Sequence, residues 1–283
     1  MDTESLPFFS RKGLRLHLNQ FGVHADKSLG QHFLADEDVV HQIVKAALFA
    51  GPSLTRSVLE IGPGPGILTR PLSSAAEVCA VEIDSKVLRA LASSARTANV
   101  ICGDALQLDL RPILDQMQGP IALVSNIPYY ITGPLLERFA GVRDFYQIAV
   151  LMIQKEVADR ILAPARHADR GALSASLQLQ FQIQRVVNVP GDAFIPPPKV
   201  SSTVIAMFPR ARQPDEDDLL KLIHRGFAQR RKTLLNNLLV GQQEKRDELE
   251  AMLYQLGISE GARAQDLEEA EWILLHKTLA AQR

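Results

Sequence analysis

The stretch from Ser57 to Gly66 constrains the fold most, because an apolar run leads directly into three closely spaced glycines. Residues 57–61 predict a buried β-strand, and Gly62, Gly64 and Gly66 follow it at alternate positions. Glycine has no Cβ, so the backbone there can approach a bound molecule closely. A phosphate-binding loop favours the spacing G-x-G-x-x-G before a helix. The loop here is G-P-G-P-G, preceded by Glu60 and without a nearby Lys or Arg, which favours a ligand with an ammonium or sulfonium group. A plain glycine-rich turn is the alternative.

Strands and helices alternate along the first two thirds of the chain. A helix is predicted from about Asp36 to Gly51, where Gly-Pro closes it. Further strands are predicted at residues 77–81, 99–102, 121–125 and 147–153, with helices interspersed. This alternation is typical of an open, largely parallel sheet, whose strands end at a common edge where ligands bind. Residues 186–189 and 200–208 are predicted as an antiparallel pair at the edge of the sheet.

Two acidic residues follow the next two predicted strands. Glu82 lies 16 residues past Gly66 at a strand end, where a carboxylate can accept both hydrogen bonds of a ribose diol. The alternative is a surface helix cap, a role that Asp84 or Ser85 can fill instead. Asp104, after the third strand, can accept a hydrogen bond from an adenine amino group, and a turn cap fits its spacing nearly as well.

The fourth strand ends in Asn126-Ile-Pro-Tyr129, a sequence suited to methylating an exocyclic amine. An Asn carbonyl and a backbone carbonyl that accept both amine N–H groups favour its nucleophilic form, and Pro128 restricts that backbone. Tyr129 can stack on an unpaired base. Phe194, on a proline-rich loop, is a candidate second stacking surface. The alternatives are an Asn turn that caps a helix and an apolar plug over the sheet end.

A linker at residues 210–214 separates this region from a helical one at residues 215–283. The leucine spacing after the linker predicts a small domain composed of helices. Its one concentrated basic patch is suited to phosphates, although a solvated surface has the same composition. The patch consists of Arg225, Arg230, Arg231 and Lys232.

Bulk composition excludes little by itself. A net charge of −1 over 283 residues means that any claim of nucleic-acid binding depends on local patches. Cys79 and Cys102 fit no metal-ligand spacing and the seven histidines are scattered, so no metal site is predicted. The arm at residues 1–27 has no continuous apolar core, and we expect neither a signal peptide nor a membrane-spanning helix, but a cytoplasmic protein.

Taken together, the motifs resemble those of the ribosomal RNA adenine dimethylase family, in particular its bacterial small-subunit members. Their order and spacing agree from about Leu14 to Leu279. The segments that carry the resemblance are residues 30–34 (GQHFL), 60–66 (EIGPGPG), 81–84 (VEID), 103–106 (GDAL), 126–129 (NIPY), 194–200 (FIPPPKV) and 227–234 (FAQRRKTL).

The resemblance implies a class I S-adenosylmethionine-dependent methyltransferase, an α/β Rossmann-like fold with a seven-stranded, mostly parallel sheet at residues 28–209 and the helical C-terminal domain. It implies N6,N6-dimethylation of two adjacent adenosines in the 3′-terminal hairpin of 16S rRNA, in late 30S particles, by an enzyme that we expect to be a monomer. The cofactor contacts that it implies are His32, Leu34, Gly62, Glu82, Asp104 and Asn126. It assigns Asn126, Tyr129 and Phe194 to the target base, and the basic patch to RNA.

One departure from the family pattern concerns His32, because Asn is usual at that position. A side-chain contact to the cofactor is therefore doubtful there, whereas a backbone contact is unaffected. Gln265 replaces a common Glu and affects only a peripheral contact. Three rivals stay open: a large-subunit rRNA adenine methylase, a nicotinamide-dependent oxidoreductase, for which the glycine spacing is wrong, and a non-catalytic ribosome assembly factor.

Overall fold

The computed structural model describes residues 10–240 and 245–281. The first nine residues of the predicted arm and the predicted helix end at Gly241 lie outside the described residues. Contacts divide the chain into two units, one of residues 1–158 and 183–209, the other of residues 159–182 and 210–283. Within the described ranges, no helix is long and apolar enough to cross a membrane.

The first unit is built on a sheet of seven strands, ordered β4-β3-β2-β5-β6-β9-β7. The strands from β2 to β6 run parallel to their neighbours, and β9 is antiparallel to β6. This agrees with the α/β class predicted from the alternation of elements. The strand bounds are β1 (Phe33–Leu34), β2 (Ser57–Ile61), β3 (Glu77–Glu82), β4 (Asn99–Cys102), β5 (Ile121–Asn126), β6 (Ile148–Gln154), β7 (Phe181–Val189), β8 (Phe194–Ile195) and β9 (Ser202–Pro209).

Helices alternate with these strands along the chain, and the last of them, at residues 172–180, belongs to the second unit. Their bounds are α1 (Arg11–Gln20), α2 (Glu37–Phe49), α3 (Thr69–Ser73), α4 (Leu88–Ser94), α5 (Arg111–Gln116), α6 (Thr132–Gly141), α7 (Lys155–Leu162) and α8 (Ala172–Gln180). Helix α2 starts where predicted, because the Asp36 carboxylate accepts a hydrogen bond from the Val39 amide at 3.1 Å. Its apolar stripe joins the core of the first unit. Helix α8 ends four residues earlier than predicted, since the chain becomes strand β7 at Phe181.

The predicted N-terminal arm contains an ordered helix. Ser10 caps α1 by accepting from the Gly13 amide at 3.1 Å, and Leu14 and Leu18 are buried in the core of the first unit. The fold of this unit therefore begins within the arm, before residue 28.

The second unit is helical, with its own core around the fully buried Trp272. The helices after the linker are α9 (Glu216–Gly226), α10 (Leu234–Leu238), α11 (Arg246–Gln255) and α12 (Glu269–Ala281). Gly226 permits close packing here, because a Cβ at that position would lie 2.5 Å from the Trp272 ring. Ala175 and Leu179 of α8 belong to this core as well. Residues 159–182 group with the helical unit, whereas the predicted boundaries assigned them to the sheet domain; Ala175 and Leu179 connect this stretch to the core of the later helices.

Candidate active site

A pocket opens at the carboxyl edge of the sheet, where β2, β3, β4 and β5 end. Because these strands are parallel and in register, the residues that follow them converge on one cavity. The cavity is lined by the segment before and within β1, the glycine loop and the ends of β3, β4 and β5. The predicted site residues among its lining are His32, Leu34, Gly62, Glu82, Asp104, Asn126 and Tyr129.

The glycine loop and Glu82 hold each other in place. Gly62, Gly64 and Gly66 all have positive φ, of 71°, 55° and 94°, a conformation that suits glycine. Glu82 is only 4% exposed; one carboxylate oxygen accepts from the Gly64 amide at 2.9 Å and the other from the Asp84 amide at 2.8 Å. Glu82 is thus not a surface cap. Burial raises its pKa, while the two backbone hydrogen bonds act in the opposite direction.

Glu60 presents a buried carboxyl to the same cavity. Its side chain is 2% exposed, and among the described residues its Oε2 atom has no hydrogen-bond partner. Burial, with a smaller contribution from Glu82, raises the pKa of Glu60 to about 8, and Thr69 opposes this shift. A buried carboxyl oxygen without a hydrogen-bond partner is costly. A cationic ligand group would supply the missing interaction.

Gln31 holds the segment before β1 at the cavity through two side-chain hydrogen bonds, a role that the sequence did not predict. Its amide nitrogen donates to Asp84 Oδ2 at 2.9 Å, and its amide oxygen accepts from the Asp26 backbone at 2.8 Å. Gln31 sits in the GQHFL segment, so the motif marked it as important; its partner, 53 residues away, was not readable from the pattern.

Asn126 ends β5 with its carboxamide at the cavity. The Nδ2 atom donates to the backbone carbonyl of His32 at 3.2 Å. Among the described residues the Oδ1 atom accepts no hydrogen bond, so this oxygen is available to an incoming N–H group. Tyr129 is anchored at its hydroxyl, which lies 2.8 Å from Ser202 Oγ. The two residues singled out at the fourth strand therefore line the same cavity as Gly62.

Phe194 lies in β8, opposite Leu34 of β1, and the residue is 1% exposed in the core of the first unit. Without substrate the ring packs as the apolar alternative describes, and a stacking contact to a base stays a prediction. The ring that does contact Tyr129 is that of His32, with centroids 5.9 Å apart.

Asp104 caps a turn and also lines the cavity, so its position is compatible with both of the roles considered for it. Its Oδ1 atom accepts from the Leu106 amide at 2.8 Å, as a turn cap does, and the residue lines the cavity. A contact to an adenine stays a prediction. Leu34 is buried in β1 and contributes an apolar wall.

The basic patch lies in the second unit, mostly in the turn between α9 and α10. Arg231 and Lys232 are exposed, and the Arg230 guanidinium donates to the Ala168 carbonyl. Arg225 differs from these three, because it is half-buried and donates to the Leu238 carbonyl. The buried Asn237 shapes the turn: its Nδ2 atom donates to the Gly226 carbonyl at 2.7 Å, and its Oδ1 atom accepts from the Gln229 amide at 3.1 Å.

Fold and site together define a class I methyltransferase that uses S-adenosylmethionine. The acidic strand ends, the glycine loop without basic residues and the unpartnered Glu60 oxygen fit a cofactor with a ribose and a cationic methionine moiety. They do not fit a pyrophosphate. Among the described residues, no cluster of His, Cys, Asp and Glu is suited to hold a metal ion.

The chain belongs to the ribosomal RNA adenine dimethylase family, whose model matches residues 22–281. It is 37% identical over 276 residues to the ribosomal RNA small subunit methyltransferase A of Geobacillus thermodenitrificans, covering 93% of each chain. It is 41% identical over 256 residues to the protein of the same name from Laribacter hongkongensis, covering 88% of this chain and 94% of the relative. The protein is accordingly an rRNA adenine dimethyltransferase.

Solved structures agree with this assignment. A dimethyladenosine transferase from Plasmodium falciparum superimposes with a TM-score of 0.72 at 26% identity, covering 89% of this chain and 98% of the other. The 23S rRNA methyltransferase ErmE superimposes with a TM-score of 0.66, also at 26% identity, covering 88% and 99%. The fold is thus shared with a dimethyladenosine transferase and with a methyltransferase named for 23S rRNA.

Proposed function

We propose that the substrate is 16S rRNA in a late 30S particle, and that the enzyme places two methyl groups on N6 of each of two adjacent adenosines in the 3′-terminal hairpin. The small-subunit names of relatives that match nearly the whole chain support this choice. We propose further that the enzyme works as a cytoplasmic monomer. The single structural observation that carries the chemistry is the Asn126 carboxamide, whose free oxygen lines the same cavity as the glycine loop.

On this proposal Asn126 holds the target amine. The adenine N6 lone pair is delocalised into the ring, and acceptors on both N–H groups localise it. Asn126 Oδ1 is one acceptor. The Ile127 carbonyl is our candidate for the second, because Pro128 restricts its orientation and the Pro128 carbonyl already accepts from the Ile131 amide at 3.1 Å.

Positioning then accounts for the reaction. S-adenosylmethionine, when bound, supplies an electrophilic methyl group on its sulfonium. Asn126 keeps the N6 lone pair directed along the line of attack, so that the new N–C bond forms as the S–C bond breaks and the sulfur takes its electron pair. The nitrogen is then cationic and acidic, so its proton passes to water without a general base. The monomethylated amine retains one N–H group, so the second transfer keeps one of these two acceptor contacts and requires space for the first methyl group.

We propose roles for the remaining residues of the cavity and of the basic patch. Tyr129 supports the base by stacking. His32 and Leu34 contact the cofactor through their segment, Gly62 through its backbone, and Glu82 through the ribose diol. Asp104 contacts the cofactor adenine. Arg230, Arg231 and Lys232 contact RNA phosphates, whereas the Arg225 guanidinium, bound to the Leu238 carbonyl, supports the helical unit.

Transfer of labelled methyl groups tests the proposal. The purified protein and S-adenosylmethionine are incubated with undermethylated 30S particles, fully methylated 30S particles and 50S particles, and modified positions are mapped by mass spectrometry. We expect dimethyladenosine at two adjacent positions in undermethylated 30S particles alone. Methylation of 50S particles instead would identify a large-subunit enzyme, and binding to 30S particles without methyl transfer would identify a non-catalytic assembly factor.

A further inference from the structure

Gln31 and His32 attach one segment of the chain to two sides of the cavity. The Gln31 Nε2 atom donates to Asp84 Oδ2 at 2.9 Å, and its Oε1 atom accepts from the Asp26 amide at 2.8 Å. This pair of bonds needs a carboxamide, because one atom donates and the other accepts. The backbone carbonyl of His32 accepts from Asn126 Nδ2 at 3.2 Å. Adjacent residues therefore connect the segment to the stretch after β3 and to the end of β5.

Asp84 connects Gln31 to the carboxylate that we assign to the cofactor ribose. The residue is 5% exposed, and its Oδ1 atom accepts from the Lys86 amide at 2.9 Å, so Oδ2 is the atom that faces Gln31. Its backbone amide donates to Glu82 Oε1 at 2.8 Å. Asp84 thus contacts Gln31 through its side chain and Glu82 through its backbone.

The hydrogen bond between Gln31 and Asp84 is stronger than the ion pair that lies beside it. In that pair Lys86 Nζ is 3.2 Å from Asp26 Oδ2, and the lysine side chain is 72% exposed. Water and salt screen an exposed pair, so it contributes little. A hydrogen bond to a buried carboxylate is charge-assisted and poorly screened. The buried hydrogen bond therefore holds the segment more firmly than the ion pair does.

We propose that Gln31 and Asp84 form a positioning pair for methyl transfer. The pair holds residues 26–32 in the place where the His32 carbonyl orients Asn126, and it supports the Asp84 backbone that orients Glu82. Gln31 thus acts through Asn126 and Glu82. This inference rests on the proposed function, since it assumes that Asn126 holds the target amine and Glu82 the ribose diol.

The pair decides which atom of the Asn126 carboxamide faces the target amine. While the His32 carbonyl accepts from Nδ2, the Oδ1 atom is left for the N–H groups of the adenine. When the segment moves away, the carboxamide can turn by 180° and present a donor instead of an acceptor. Loss of the pair should therefore lower kcat. The KM for the particles should change little, because the RNA contacts of the basic patch remain.

Exchanging the two side-chain types tests the pair. Gln31→Glu alone brings two carboxylates together without a donor between them. Asp84→Asn alone turns an amide group toward either the Gln31 amide or the Lys86 amide. In the double variant the new amide at position 84 donates to the new carboxylate at position 31, whose other oxygen still accepts from Asp26.

Methyl-transfer kinetics on undermethylated 30S particles and calorimetry with S-adenosylmethionine measure the effect. A lost hydrogen bond to a charged group changes an equilibrium by about tenfold or more. At saturating S-adenosylmethionine we expect each single variant to lower kcat by roughly tenfold, and each should also raise the Kd for S-adenosylmethionine. The double variant should recover most of both quantities.

Gln147→Glu is the matched control. Gln147 is also partly buried in the first unit and lies outside the cavity. Its carboxamide likewise donates, to the Ser53 carbonyl at 2.7 Å, and accepts, from the Ser53 amide at 3.1 Å. We expect the Tm to fall similarly in Gln147→Glu and in Gln31→Glu, whereas kcat and Kd should change in Gln31→Glu alone.

A double variant as impaired as the single variants would overturn the inference, because Gln31 would then act by contacting a reactant itself. Wild-type kcat and Kd in Gln31→Glu, or equal losses in Gln147→Glu, would overturn it as well. Failure of the wild type to methylate 30S particles would overturn the proposed function, and this inference with it.

Discussion

Protonation of Glu60 should make cofactor binding depend on pH. Its carboxyl is buried at the cavity, its Oε2 atom lacks a partner among the described residues, and its pKa is raised to about 8. Near neutral pH the free enzyme therefore holds Glu60 mostly as the uncharged acid. S-adenosylmethionine brings positive charge into the cavity and stabilises the carboxylate. Binding should then release a proton from Glu60.

The size of the effect follows from the pKa. The ionised fraction of a group with a pKa of about 8 falls roughly tenfold per pH unit below that value. If the cofactor binds the ionised form, the apparent Kd rises as that fraction falls, so it should be roughly 100-fold weaker at pH 6 and roughly tenfold weaker at pH 7 than at pH 9. Affinity thus increases with pH and levels off above about pH 8.

Isothermal titration calorimetry from pH 6 to 9 measures this dependence, and buffers of different ionisation enthalpy report the released proton. Glu60→Gln preserves the shape but cannot ionise, so its Kd should vary little over this range. Glu82 also has a raised pKa. Glu82→Gln is therefore the control, and it should weaken binding at every pH while retaining the dependence due to Glu60. Equal pH dependence in the wild type and in Glu60→Gln would refute the reasoning.

The same carboxyl affects folding in the opposite direction. Its pKa is higher in the folded protein than its ordinary value near 4.5. This contribution to stability is complete below that ordinary value and is lost as pH rises toward about 8, because over this range the unfolded chain ionises the carboxyl while the folded protein keeps it protonated. Without cofactor, the wild type should therefore lose more stability between pH 5 and pH 8 than Glu60→Gln does.

Four further substitutions test the rest of the site and the basic patch. Asn126→Ala should reduce methyl transfer by about 10²- to 10³-fold with unchanged Kd for S-adenosylmethionine, and substantial transfer would refute its role in holding the amine. Arg231→Ala should reduce the slope of log K against log salt for RNA binding by the amount expected for about one phosphate contact. Arg225→Ala should leave that slope unchanged but lower the free energy of unfolding by about 1–3 kcal/mol. The reverse result would exchange their roles. Gly66→Ala should destabilise the protein by about 1–3 kcal/mol in urea unfolding, because its Cβ would lie 2.1 Å from Ser94 Oγ. Gly22→Ala is the control, because Gly22 also has a positive φ, of 64° against 94° for Gly66, but open space around its Cβ; a loss as large as that of Gly66→Ala would show that backbone strain alone is responsible.

The sequence by itself determined the sheet and most of the members of the cavity. Parallel strands end at one edge, so once residues 57–61, 77–81 and 121–125 are recognised as strands, the positions after them must converge. That geometric necessity brought Gly62, Glu82 and Asn126 together. The helical nature of the chain after residue 215 followed equally from the spacing of its leucines.

Only the tertiary structure decided which way individual side chains point. The pairing of β1 with β8 joins segments about 160 residues apart, and it buries Phe194 while it brings His32 onto Tyr129. Similarly, Arg225 and Arg231 carry the same charge, but the Arg225 guanidinium donates a hydrogen bond to the Leu238 carbonyl of α10. Local patterns record which residues are apolar, charged or conformationally free. They do not show which residues distant in sequence pack against a given side chain. Those long-range contacts place the ring of His32 at the cavity and bury the ring of Phe194.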